Sequence, residues 1–427
     1  MITASLYNLV NAFWVAKLGY QAIAAVTVVM PFFVFCIALG VGTGIGVNAL
    51  ASRRFGERNV EGANQAVGQT FFLSIVIGAF LLFLTNVFPG VILRICGVTP
   101  DIVDLGTQYL SVFGWGIPFF LFSIVSRNVF AASGDTLRPM IFAITSQVVN
   151  AVLDPFLIFG WGFFPAMGVG GAALATAISM LVGAVLPLWF LLRKKTAYNI
   201  RFRHCTPKFP VIKEIYRVGF PSILMESTES VVFAILNNVA AGFGSVTLAA
   251  LGIGGRLVDL VFMPVIGTSH GLLPIVGFSL GAKRWDRLWG AVKLTMTWLT
   301  VILLVLFVLL EIFAPQVIRL FNSDPELLRI AIPGLRIILA SMAFWGVPVL
   351  IITTFQGLSK GKDAMVLSLV RQFLFFIPGL FLFTHFWGMT GIWIAMPVSD
   401  VLGGFVAGLW LWREYIKQKD SGLWNKK

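Results

Sequence analysis

The 427-residue sequence predicts an all-α polytopic membrane protein with twelve transmembrane helices in two pseudo-symmetric six-helix lobes. Three observations carry that prediction. Hydrophobic residues make up 58% of the chain and charged residues only 11%, where a soluble domain carries roughly 25% charged. Segments such as 69–88 and 294–313 hold at most one charge over about 20 residues, the length that takes a helix across a bilayer. The second half also repeats the first at a constant offset of 225 residues.

In chain order the apolar runs are 1–18, 22–51, 65–92, 104–133, 139–160, 168–192, 215–240, 247–280, 287–313, 327–357, 364–386 and 388–412. Their ends are marked by charge. Arg53, Arg54, Arg58, Arg138, Arg193, Lys194, Lys195, Lys283, Arg284, Lys360, Lys362 and Lys417 all lie beside the ends that close even-numbered spans. Of the 31 Lys and Arg, only Lys17, Arg94, Arg319, Arg329 and Arg336 fall on the other side, and Arg256 lies within a span. Cytoplasmic loops carry such an excess of basic residues, so both termini and the 193–217 loop are expected in the cytoplasm and the chain in the cell (cytoplasmic) membrane. The net charge of +13 is therefore topological, and nucleic acid is not an expected partner. The expected division is an N-lobe at 1–193, a connecting loop at 194–213, and a C-lobe at 214–427 ending in a short cytoplasmic tail.

The repeat sets Ala24-Ala25 on Ala249-Ala250, Gly42-Thr43 on Gly267-Thr268, Gly46 on Gly271, Gly56 on Gly281 and Gln147 on Gln372. After a gap of five residues, Gly168 meets Gly388. Six helices of like orientation in each half form a parallel repeat, the design that places a transporter's site near mid-membrane. In this register Met1 corresponds to Glu226, so the first helix is expected to lack about two turns that its counterpart has.

Polar groups inside the spans are the candidate site residues. Asp154 sits in "NAVLDPFLIFGWG" (150–162) with no basic neighbour. A carboxylate at a helix centre costs about 2.5–3.5 kcal/mol on insertion scales, so it is a functional candidate by default. Gln147 and Asn150 share its helical face, and Pro155 weakens the turn around Ala151 and frees backbone oxygen. Carboxylate, amide and loosened backbone suit a proton or a hard cation such as Na⁺. Glu226 and Glu229 are three apart on the seventh span, where two carboxylates in low dielectric cannot both ionise cheaply. Arg256 and Asp259 on the eighth span are spaced to neutralise each other. Arg371 and Asp400 form a further candidate pair, between the eleventh and twelfth spans.

Other chemistries fit poorly. Cys36, Cys96 and Cys205 are isolated, and His204, His270 and His385 have no ligand spacing, so no structural metal or cofactor is expected. The alternating glycines Gly40 to Gly46 lie inside an apolar span, where small residues let helices approach. "GLSKGKD" (357–363) is one residue short of a P-loop and lacks its Ser/Thr, so ATP is not the expected energy source.

The pieces "LYNLVNAFWVAKLG" (6–19), "AIAAV" (22–26), "FAASGDTLRPM" (130–140), "NAVLDPFLIFG" (150–160), "GVGGAALATAIS" (168–179) and "AALGIGGRL" (249–257), in this order, resemble the multidrug and toxic compound extrusion (MATE) family, in its prokaryotic branch. The resemblance covers nearly the whole chain. It implies an antiporter, not an enzyme, that exports small amphiphilic or cationic compounds in exchange for protons or sodium. It also implies that Asn150 and Asp154 are the fifth helix's cation-binding pair, with Thr176 as hydroxyl partner. Glu229, eight residues after Pro221, matches a helix-7 glutamate that some members use for cation or substrate. One departure stands out. Where similar sequences carry aspartate in "YNLVDTFW", this chain has Asn11, which leaves the N-lobe site one carboxylate.

A proton needs only that one carboxylate, so proton coupling is expected ahead of sodium. Membrane lipids are the other expected partners, and the chain is read as a monomer. Two alternatives are a flippase for a lipid-linked oligosaccharide or similar amphiphile, and a membrane-embedded enzyme. The first wants several basic cavity residues, of which Arg256 is nearly the sole candidate. The second wants a His, Asp, Ser or metal constellation that three scattered histidines do not offer.

Overall fold

The computed structural model describes residues 14–15, 17–98, 100–162, 164–193, 196–319 and 325–420, and within them the side chains of 20, 241, 245, 246, 248, 249, 253, 256, 317, 319 and 325–327 are left aside. Among the described residues all regular structure is helical. Nine helices among the described residues are long and apolar enough to cross a bilayer, and two bent helix pairs bring the spans there to eleven. Apart from its last residues, the first expected helix, 1–18, lies outside the described residues.

The chain separates into two compact units, one running to Phe55 and then over Asn59–Ile223, the other comprising Gly56–Arg58 and everything from Leu224 onward. The first unit holds α1 (Tyr20–Gly56), α2 (Val60–Val87), α3 (Pro89–Ile95), α4 (Val103–Gly114), α5 (Ile117–Ala132), α6 (Leu137–Phe159), α7 (Gly168–Leu192) and α8 (Phe202–Cys205). Then α9 (Phe209–Ala241) passes from one unit to the other. The second unit continues with α10 (Ser245–Gly281), α11 (Trp285–Arg319), α12 (Pro325–Leu339), α13 (Met342–Gly357), α14 (Gly361–Leu369), α15 (Ile377–Trp387) and α16 (Met389–Asp420).

Several boundaries differ from the sequence expectation, each for a local reason. The 65–92 run breaks at Phe88 (φ −125°, ψ 40°), because Pro89 biases the residue before it away from helical geometry and then starts α3. The 104–133 run is a bent pair, α4 and α5 meeting at 52° around Trp115-Gly116. Pro118 lies just beyond that bend, and Gly116 has no side chain to hold Ala177 and Met180 of α7 away. The connecting loop is not wholly irregular, since it contains α8, and α9 begins at Phe209, ahead of the expected 215. The eleventh span carries a π-helical stretch, Val370–Phe376, between α14 and α15.

The repeat extends to backbone geometry. With the 225-residue offset, the end of α1 at Gly56 falls on the end of α10 at Gly281, and the start of α2 at Val60 on the start of α11 at Trp285. The bend at Trp115-Gly116 falls on a second 52° bend at Ala340-Ser341, and the end of α5 at Ala132 on that of α13 at Gly357. Left-handed residues pair in the same way: Gly19 (φ 106°) with Gly244 (103°), Arg58 (58°) with Lys283 (56°), and Gly134 (85°) with Ser359 (59°). After the five-residue gap, Gly168 (57°) pairs with Gly388 (56°). These matches mark one helix–turn design used twice, although α11 runs on through the positions equivalent to α3 and the π-helical stretch has no counterpart in α6.

Each unit has its own apolar interior. In the first, Leu110, Ile117, Ile158 and Ala173 form one cluster and Val67, Val129, Phe130 and Leu191 another. In the second, Leu299, Trp345, Leu350 and Trp393 are central. Large apolar side chains also stay exposed, including Phe80 and Phe83 on α2, Trp298, Val305 and Ile312 on α11, and Phe405 on α16. In water such a surface would be unfavourable, whereas hydrocarbon accepts it.

Candidate functional site

Asp154 and Asn150 lie one turn apart on α6, both fully buried. Thr176, on the facing helix α7, is also buried. The Asn150 amide Nδ2 donates to Thr176 Oγ1 at 3.4 Å, and Thr176 Oγ1 donates to the Ala172 carbonyl at 2.9 Å. That second bond commits the hydroxyl's proton to its own helix and leaves its lone pairs to accept from Asn150. Asn150 Oδ1 is buried and has no hydrogen-bond partner among the described residues, so an unused acceptor stands one turn from the carboxylate. One helical step further along, Gln147 is half-buried with its Oε1 likewise unpartnered. Three of the sequence-predicted residues thus share one face of α6, with Thr176 opposite.

The close approach of α6 and α7 has a visible cause. A Cβ at Gly171 would lie 2.2 Å from the Leu157 carbonyl oxygen, so only glycine lets the backbones meet there. Gly170, Ala172, Ala173, Ala175 and Ala177 keep α7 slender around this point, and all are buried. Gly160 in the left-handed conformation (φ 73°) ends α6 just beyond Pro155, and Met167 N then donates to Leu157 O at 3.0 Å to bring the chain back. Pro155 has no N–H to give the Ala151 carbonyl, which leaves a further backbone acceptor on the turn that carries Asp154. The neighbourhood therefore offers carboxylate, amide and hydroxyl oxygens in an apolar wall. Chemically it can take up and release a proton, or hold a small hard cation.

Other predicted residues fare differently. Asn11 lies outside the described residues, as does the side chain of Arg256. Asp259 is exposed on α10. On α9, Glu226 is half-buried and Glu229 exposed, close enough for their charges to act on each other. Arg371 also reaches Glu229 through its charge, and its Nη1 donates to Asp400 Oδ1 at 2.9 Å. That ion pair joins the π-helical stretch to α16, and π-helical turns recur at functional sites.

Three features escaped the sequence reading. Ser146 Oγ donates to the Ser179 carbonyl at 2.6 Å, a second tie between α6 and α7. Arg127, inside α5, is exposed although its neighbours are buried, so Arg256 is not the sole candidate for an internal cation. The connecting loop is fastened to α2. His204, nearly fully buried, lies 3.0 Å from Glu61 Oε1 through Nε2, and its Nδ1 accepts from Arg201 N at 3.0 Å. Gln69 Nε2 donates to the carbonyls of His204 (3.0 Å) and Thr206 (2.9 Å), and its Oε1 accepts from Lys208 N at 3.0 Å. A lone buried histidine in a polar loop carries no periodic signal that would have announced this anchor.

Comparison with known proteins agrees with the fold. The MatE family profile matches residues 1–156 and 221–382. A multidrug export protein, MepA, of Staphylococcus haemolyticus is 25% identical over 403 residues, which cover 94% of this chain and 88% of that one. A FAD transporter of Shewanella oneidensis is 26% identical over 404 residues, covering 93% and 88%. Among solved structures, an outward-facing multidrug-resistance MATE transporter superposes with a TM-score of 0.91 at 28% identity, over 98% of this chain and 94% of that one. A MATE protein in a bent conformation gives 0.92 at 27% identity, covering 98% and 93%. A Pyrococcus furiosus transporter, described as having a binding pocket of reversed polarity that suggests a different function, gives 0.89 at 27%, covering 99% and 93%. The twelve-helix fold expected from the sequence is the fold of these transporters. This multi-pass membrane protein belongs to the MatE family.

Proposed function

We propose that the chain is a secondary antiporter that exports small amphiphilic or cationic molecules across the cytoplasmic membrane in exchange for protons, with sodium as the alternative coupling ion. In this reading Asp154 carries the cation, Asn150 and Thr176 orient it, and Gln147 and Asn11 supply further oxygens from the same lobe. Glu229 and Glu226 are candidates for a secondary cation or substrate site in the C-lobe, as are Arg256 and Asp259. The lobes are 1–193 and 214–427, joined by 194–213, with both termini cytoplasmic, and the protein works as a monomer without a bound cofactor.

The single observation that carries the reading is the fully buried Asp154 beside Asn150 and Thr176. A carboxylate there is held against a large desolvation cost, and binding a proton removes that cost. Protonation and substrate occupancy then select different states of one alternating-access cycle, each ligand shifting it only by its differential affinity. Relatives named for multidrug export and for FAD transport support small-molecule export as the activity. The proton is favoured because one carboxylate with neutral partners balances one proton, whereas a dehydrated sodium ion usually gathers more negative charge.

The test is substrate transport by the purified protein in liposomes under proton and sodium gradients imposed separately. Transport that follows the pH gradient without sodium and stops with a protonophore is the expected result. Transport that survives the protonophore and requires a sodium gradient would reverse the coupling ion.

A further inference from the structure

In the second unit the ion pair between Arg371 and Asp400 joins the π-helical stretch to α16 at 2.9 Å. Both side chains are largely covered, Asp400 to 14% exposure and Arg371 to 30%. The backbone makes room for the pair. A Cβ at Gly403, one turn from Asp400, would lie 2.7 Å from Arg371 Cγ, so glycine lets the arginine stem rest against α16.

The internal repeat shows that fastening these two helices needs no charge. At the 225-residue offset Arg371 falls on Ser146, and after the five-residue gap Ser399 and Gly403 fall on Ser179 and Gly183. There Ser146 Oγ donates to the Ser179 carbonyl at 2.6 Å, and a Cβ at Gly183 would lie 3.2 Å from that hydroxyl. A serine thus ties the fifth and sixth spans at the place where an ion pair ties the eleventh and twelfth. Desolvating two charges can cost more than their attraction returns, so the pair is weak evidence of a stabilising role. Charged side chains inside a span mark functional positions by default.

The other charges nearby give that function its direction. Glu226 and Glu229 lie three apart on α9 and act on each other, and neither forms an ion pair among the described residues. Arg371 is the base whose charge reaches Glu229. Glu229 is exposed, and a carboxylate in a span faces protein or a water-filled opening rather than lipid, so a cationic ligand can reach it. Two carboxylates this close do not both ionise cheaply, and Arg371 cancels Asp400, so the cluster offers about one negative charge. A second positive charge on the ligand would meet the guanidinium with no carboxylate left to balance it.

We propose that Arg371 sets the charge accepted by the cation site of the second unit, so that singly charged cations are preferred over doubly charged ones of the same shape. This rests on the reading of Glu229 and Glu226 as a cation or substrate site and adds the substrate's charge to it.

The test uses two dyes with one phenanthridinium ring system, ethidium with a single positive charge and propidium with a second on its side arm. Binding to the full chain in detergent is followed by fluorescence anisotropy. Arg371→Gln is expected to move the propidium-to-ethidium affinity ratio about tenfold towards propidium, and Asp400→Asn about tenfold the other way. The Asp400→Asn arm stands by itself should Arg371→Gln not fold. Arg371→Lys keeps the wild-type ratio, as does the double variant Arg371→Gln/Asp400→Asn, which removes the pair as a unit. A purely structural tie would weaken both dyes equally in the single variants. That result, or a ratio that stays put, overturns the proposal, and so does a double variant whose ratio follows Arg371→Gln. Glu229→Gln separates the inference from the reading beneath it. Both dyes bound there as in the wild type would remove the C-lobe site itself. Both weakened there, with the ratio unmoved in Arg371→Gln, would remove the role of Arg371 alone.

Discussion

At Asp154 the chain places a carboxylate where no side chain of lower cost would need explaining, and that is why the residue was legible in the sequence. A charge in an apolar run declares itself without any knowledge of the fold. Asn150 and Gln147 followed from helical spacing alone. What could not be read is the register between helices. Ser146 is an ordinary serine until α7 brings the Ser179 carbonyl to it. Gly171 controls that register. Because its Cβ would meet the Leu157 carbonyl, Gly171→Ala should force α6 and α7 apart and destabilise the protein by about 1–3 kcal/mol. The measurement is the melting temperature of the purified protein in detergent, and an unchanged value would remove Gly171 from the account.

Among the elements, the long spans were legible because hydropathy and length decide them, and their interruptions were not. The bends at Trp115-Gly116 and Ala340-Ser341 lie inside runs that read as continuous, since a hydrophobic residue serves a bent span as well as a straight one. The repeat did foreshadow that whatever happened in one half would recur in the other. That symmetry yields an internal control. Gly134 and Ser359 occupy equivalent left-handed positions, one filled by glycine and the other not. The left-handed conformation costs a non-glycine residue about 1–2 kcal/mol, and glycine's extra unfolded-state entropy offsets about 0.5–1 kcal/mol of the relief. Ser359→Gly should therefore stabilise by about 0.5 kcal/mol and Gly134→Ser destabilise by a similar amount, as thermal unfolding would register. Shifts of the same sign would contradict the equivalence.

The loop anchored on α2 makes a separate prediction. Burial already raises the pKa of the Cys205 thiol, so it should react slowly with maleimide at neutral pH. Removing the imidazole with His204→Ala takes away the contacts to Glu61 and Arg201, worth about 1–2 kcal/mol, and should speed labelling of Cys205 roughly tenfold. Labelling at the wild-type rate would show that the remaining ties, from Gln69, Asn64 and the Arg203–Glu61 pair, hold the loop without the imidazole.

For the whole molecule, composition and charge placement were enough to identify a polytopic membrane protein, because a bilayer constrains sequence more tightly than water does. The six-plus-six design was legible for the same reason, and the family followed from motifs in order. The chemistry is condensed into far fewer residues, so it depends on the one claim that Asp154 exchanges a proton as substrate crosses. The most direct measurement is proton movement itself. Liposomes containing the purified protein and a trapped pH-sensitive dye are given a cationic substrate without sodium, for the wild type and for Asp154→Asn. A substrate-triggered pH change in the wild type, absent from a variant that inserts and folds equally well, is the result this account predicts. An equal pH change in the Asp154→Asn protein would contradict it.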